Sequence, residues 1–127
     1  MRSVLLVFLG AGIGGALRHG VNVACAWACG TAFPWGTLVV NVAGSFAMGL
    51  LAAWLAFRAG AGWSQGMRLF LATGVLGGFT TFSAFSLDAV LLWERGAALA
   101  ALGYVAASVV LSIAGLMLGL AVVRSLS

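Results

Sequence analysis

Charge is nearly absent from this chain. Of 127 residues only eight are charged: Asp88, Glu94 and six arginines, with no lysine. A soluble globular domain carries about a quarter of its residues charged, so the composition excludes that class. The arginines are scattered between long apolar runs, and no basic stripe follows one face. Nucleic-acid binding is therefore excluded despite the net charge of +4. His19 is the only histidine, and no nucleophile, base and oxyanion donor form a set, so an enzyme is not expected. Nothing in the sequence binds nucleotide, which leaves ATP-driven pumping unsupported. The only two cysteines, Cys25 and Cys29, are four apart. Helical i,i+4 geometry suits a disulfide poorly, and two thiols without histidine or acid partners make a weak metal site. Both are expected as small buried apolar residues. The single proline, Pro34, stands between two apolar runs, not inside one.

What the chain has in quantity is apolar surface, 64% of its residues. The apolar runs cover about 3–28, 36–57, 69–93 and 96–123, each near or above the ~20 residues that cross the hydrocarbon as a helix. The expected fold is an all-α integral membrane protein. It forms a single transmembrane domain over residues 1–127, with four helices per subunit and the third broken near 77–80. The first run faintly resembles a signal peptide, but three further spans follow it, so a retained helix is expected. Glycines recur at spacing four: Gly10 and Gly14, Gly74 and Gly78, Gly115 and Gly119. Such pairs let helices approach closely in lipid. Four helices leave little room for a lumen, so a pathway forms more easily between subunits. Arg2, Arg58, Arg68 and Arg124 fall on one side and Arg95 and Arg18 on the other. That weak bias favours cytoplasmic termini and also permits both orientations.

The third run carries the most informative segment, Gly77-Gly78-Phe79-Thr80-Thr81-Phe82-Ser83-Ala84-Phe85-Ser86. Adjacent glycines followed by β-branched threonines are poor helix material. A helix broken at membrane depth is tolerated where it is buried in protein or lines a polar cavity, and such breaks recur at ion and substrate sites. Thr37, Asn41 and Ser45 make one polar stripe on the second span. Tyr104, Ser108 and Ser112 make another on the fourth. Asn41 reads either as interhelical glue or as a pore-facing donor. The serines read either as a shared conduit or as groups bonded to their own helix carbonyls. Phe82 and Phe85 are nearly on one face, interleaved with Ser83 and Ser86. Aromatic rings have a positive edge, so a dehydrated anion could rest there; packing against lipid is the plainer reading. Arg18 reads as an interfacial anchor or as an attractor at a vestibule mouth. Asp88 reads as a functional intramembrane acid or as an interfacial one.

Three segments together resemble the Fluc-type fluoride channels, the CrcB-like proteins: Gly14-Gly15-Ala16-Leu17-Arg18, Gly36 to Phe46 around Asn41, and Gly77 to Phe85. Order, spacing, length and the four-span layout are all similar, over essentially the whole chain. The resemblance implies an antiparallel, dual-topology homodimer in lipid, in the bacterial inner (plasma) membrane. It implies two fluoride pathways at the dimer interface, for passive export that lowers cytoplasmic fluoride. By position, Asn41 is the pore amide. Phe82 and Phe85, with Ser83, are the aromatic stretch, and Tyr104, Ser108 and Ser112 form the polar track. Arg18 is the vestibule arginine. A structural sodium ion is implied at the two-fold axis, held by backbone carbonyls of Gly77 and Thr80. Ala84 departs from the threonine of many relatives. The rival readings are a proton-coupled exporter of small cations, for which span one lacks an acid, and an assembly subunit without transport.

Overall fold

The computed structural model describes residues 2–57 and 65–126; the stretch 58–64, within the expected second linker, lies outside the described residues. Helix α1 is Arg2–Cys29 and α2 is Trp35–Phe57. Helix α3 starts α-helical at 65–67, continues in wide π-type turns over Arg68–Leu76 and ends in a single α turn, Gly77–Phe79. Helix α4 is Phe82–Glu94 and α5 is Ala98–Leu126. Among the described residues, four helical spans are long and apolar enough to cross a membrane: Arg2–Cys29, Trp35–Phe57, Gln65–Glu94 and Ala98–Leu126.

Glycine marks two of the span ends. Gly30 (φ 80°) follows α1 and Gly96 (φ 86°) follows α4. Both take the left-handed conformation that closes a helix and costs a Cβ-free residue least. The Gly30 amide donates to the Ala26 carbonyl, and the Gly96 amide to that of Trp93. Arg95 then donates to the Ala32 carbonyl, tying the two short linkers on this side together. Trp27, Trp35 and Trp93 are exposed near these same ends, where amphipathic rings sit at headgroup level.

The interior is assembled from two close helix pairs. Helix α1 meets α3 through Gly10 and Gly14, which lie against the backbone around Gly74 and Gly78. A Cβ on Gly14 would come 2.0 Å from the Val75 carbonyl oxygen. Helix α2 lies along α5 in the same manner: a Cβ on Gly119 would come 2.4 Å from the Phe46 carbonyl oxygen. Backbones this near gain dispersion contacts that side chains would block, which is what replaces the hydrophobic effect between helices in lipid. The apolar core proper is small, formed by Leu38, Leu92, Ala101 and Tyr104 with Phe33 and Phe85 packed on it. Most large apolar side chains point outward, as expected where the solvent is hydrocarbon.

Two expectations need adjusting. The glycine pair Gly77-Gly78 is helical; the extended residues are Thr80 (φ −85°, ψ 159°) and Thr81 (φ −154°, ψ 117°). Gly78 serves close approach instead: a Cβ on it would meet the Ala11 carbonyl oxygen at 2.5 Å. The cysteines are free, but they are not both buried. Cys25 is half-buried and Cys29, the last residue of α1, is exposed.

Candidate functional site

Extended backbone inside an apolar span leaves amides and carbonyls without helical partners, at several kcal/mol each in hydrocarbon. At Thr81 both groups go to one side chain. The Thr81 amide donates to Asn41 Oδ1 at 2.8 Å, and Asn41 Nδ2 donates to the Thr81 carbonyl at 3.1 Å. Asn41 so behaves as a one-residue strand partner supplied by α2. A carboxamide has two N–H groups, so one remains after this pairing. The approach is close because α2 carries Gly44 one turn on, where a Cβ would overlap Thr80 Cγ2 at 2.2 Å.

Two further contacts complete the junction. Thr81 caps α4 by accepting the Ala84 amide on its hydroxyl at 3.1 Å, as N-terminal threonines do. From α1, Arg18 Nε donates to the Gly78 carbonyl at 3.1 Å. Arg18, half-buried, thus reaches the end of α3. Thr80 keeps its hydroxyl on its own helix, donating to the Leu76 carbonyl at 3.0 Å.

Beside the junction lies a cavity of about 390 Å³. Asn41, Ser45, Phe82, Phe85, Ser108 and Ser112 are among its lining residues, with Thr80 and Thr81 at one wall. Residues from α2, the extended pair, α4 and α5 therefore converge there. Phe82 and Phe85 stand 5.5 Å apart between ring centroids, inclined at 49°. Phe82 is 79% exposed in the single chain, so much of this ring faces away from its own subunit. Ser108 is the outlier in the polar inventory. Its hydroxyl is buried and, among the described residues, is the one buried side-chain polar atom without a hydrogen-bond partner. Such a group beside a cavity is a donor without a partner, its oxygen shielded in the single chain.

Four of the sequence-derived candidates lie off this cavity. Tyr104 is fully buried behind it, its ring 5.3 Å from that of Phe85 and its hydroxyl donating to Asp88 Oδ2 at 3.3 Å. Asp88 is accordingly engaged by the bundle. Ser83 is exposed, with its Oγ 3.3 Å from the Thr81 hydroxyl. Gly77 is exposed on the last turn of α3. Arg18 reaches the junction from the opposite side, through Gly78. Sequence reading missed Thr81 as the hub of the junction. The available signal was the helix-poor Gly-Gly-Phe-Thr-Thr segment, where backbone groups released from a helix would require polar partners from neighbouring helices.

The profile of a family described as "CrcB-like protein, Camphor Resistance (CrcB)" matches residues 5–120. The chain is 60% identical over 124 residues to the fluoride-specific ion channel FluC of Methylobacterium nodulans, a match covering 98% of both chains. It is 58% identical over 125 residues to the fluoride-specific ion channel FluC 2 of Nitrobacter hamburgensis, covering 98% of this chain and 99% of that one. With the fluoride-specific ion channel FluC of Chelativorans sp. it shares 59% identity over 126 residues, covering 99% of each.

Proposed function

The chain belongs to the CrcB-like protein family, and from that premise we propose that it is a fluoride-selective channel conducting fluoride passively out of the cytoplasm. It is an integral membrane protein of the bacterial plasma membrane and not an enzyme. The observation that carries the reading is the cavity where an unpartnered Ser108 hydroxyl stands near the rings of Phe82 and Phe85.

The chemistry suits a small, strongly hydrated anion. Fluoride accepts hydrogen bonds more readily than larger halides, so hydroxyls of Ser108 and Ser112 and the spare N–H of Asn41 can replace part of its hydration. The edges of Phe82 and Phe85 add a weak positive field without a fixed charge. A lysine or arginine at this point would hold the anion too tightly, whereas conduction needs sites an ion can also leave. Ser83 is exposed on the first turn of α4 beside Thr81, and Tyr104 lies behind Phe85, so both act at the margins of this path. Arg18 raises the local positive potential on the other flank of the junction.

Cavity and rings are open on one side of the single chain, which supports a homodimer whose partner closes the path. In this reading the subunits are antiparallel, the third span is a broken transmembrane helix, and each dimer has two pores. A sodium ion at the two-fold axis belongs to the same proposal. The Gly77 and Thr80 carbonyls would hold it, and neutral hard oxygens beside an interrupted helix fit a small hard cation. Bound there, the ion would supply positive charge that joins the two subunits.

The test is efflux from liposomes containing the purified protein, with a potassium ionophore present and chloride as the control anion. Rapid fluoride loss with negligible chloride loss is expected. No fluoride flux from folded protein would overturn the channel reading, and proton-coupled cation transport would then be measured on the same vesicles.

A further inference from the structure

The helical bonds missing at the junction follow a pattern. In an uninterrupted α-helix the amide of residue 81 would close onto the carbonyl of Gly77, and the amide of residue 84 onto that of Thr80. Neither bond is made. The Thr81 amide is drawn off by Asn41 Oδ1 at 2.8 Å, and the Ala84 amide by the Thr81 hydroxyl at 3.1 Å. The Gly78 carbonyl, between these two, is taken by Arg18 at 3.1 Å. Gly77, Phe79 and Thr80 are thereby left with carbonyl oxygens stripped of their helical donors, while Gly78 is quenched. Gly77 is also exposed and has no side chain to cover its oxygen.

We infer that Asn41 and Thr81 are positioning residues for the cation, each diverting one amide so that a specific carbonyl, Gly77 or Thr80, is released as a ligand. The inference rests on the sodium reading above and extends it from the ligands to the groups that free them. It links the two functions of the channel through one side chain: Asn41 lines the anion cavity with one edge and unlocks the cation ligand with the other. Loss of Asn41 should therefore disturb sodium binding even in an experiment where no fluoride is present.

Thermal unfolding of the full-length purified protein, followed by tryptophan fluorescence across a sodium titration with N-methyl-D-glucamine as the replacement cation, tests this without fluoride. Asn41→Leu keeps the branched side-chain shape, at a larger volume, and offers the Thr81 amide no side-chain acceptor. Thr81→Val removes only the capping oxygen, and Thr81→Ser restores it. The sodium concentration for half-maximal stabilisation should rise roughly tenfold or more in Asn41→Leu and Thr81→Val, the range seen when groups that orient metal ligands are removed. In Thr81→Ser it should stay close to that of the parent. Thr81→Val changes a single group, so it decides the matter if Asn41→Leu does not fold. Unchanged midpoints in the folded variants would overturn the inference and leave the sodium site standing. A parent protein whose unfolding ignores sodium altogether would overturn the sodium reading and the inference with it.

Discussion

Asn41, Arg18 and Phe82 show how much a single side chain is asked to do in a chain with so few polar groups. Asn41 and Arg18 bond to backbone atoms 40 and 60 residues away. Their residue types at membrane depth marked them as significant in the sequence, because a carboxamide or guanidinium in hydrocarbon must find partners. Which partners they find was not legible, since spacing along a helix fixes the face of a residue and says nothing of the helix opposite. Phe82 is the reverse case. The sequence left its ring as an anion contact or as packing against lipid, and its large exposure leaves it little part in holding its own subunit together. Phe82→Ile should therefore preserve folding and lower fluoride flux. Losing a ring-edge contact of about 0.5–1.5 kcal/mol corresponds to a fall of up to roughly tenfold. Efflux from liposomes at matched protein density checks this, and an unchanged rate would make the ring a packing element.

At the scale of elements, the four apolar runs announced four helices, and the glycine spacing announced close contact between them. What spacing four left open was the choice of mate. Gly10 and Gly14 on α1 take α3, whereas Gly119 on α5 takes α2. Backbone complementarity in three dimensions makes that choice, and no one-dimensional repeat encodes it. The consequence at Gly14 is sharp, because a Cβ there overlaps the Val75 carbonyl at 2.0 Å and the Phe79 amide nitrogen at 2.8 Å. Both are main-chain atoms of α3, which cannot rotate away as a side chain would. Gly14→Ala should separate α1 from α3, with an overpacking cost of about 1–3 kcal/mol or more. It should also draw Arg18, one turn on, away from Gly78. Gly12→Ala is the matched control, since a Cβ at Gly12 meets nothing within 4 Å. Thermal unfolding should show a clear loss of stability for Gly14→Ala and almost none for Gly12→Ala.

At the scale of the whole molecule, the proposed antiparallel dimer would place a symmetry requirement on the depth of the junction. A two-fold axis in the membrane plane exchanges the two faces of the bilayer and leaves only mid-depth points level. Two subunits can share one ion through such an axis only if each offers its ligands halfway across. Thr80 and Thr81 fall near the midpoint of the 30-residue span Gln65–Glu94, which meets that requirement and supports antiparallel subunits. Charge pulls the other way. With Arg18 engaged by Gly78, the sequence leaves Arg95 on one side of the spans against Arg2, Arg58, Arg68 and Arg124 on the other, and a positive-inside count alone favours cytoplasmic termini. The antiparallel arrangement requires both orientations to be made in comparable numbers despite that bias. Cys29 provides the means to count them: it is exposed, it ends α1, and it lies on the side opposite the N-terminus. In a Cys25→Ser background, a membrane-impermeant maleimide applied to intact spheroplasts should label Cys29 in about half of the molecules, with the rest becoming reactive on permeabilisation. Labelling of nearly all or nearly none before permeabilisation would mean a single orientation. The antiparallel dimer, and an ion shared across its in-plane axis, would then have to be abandoned together.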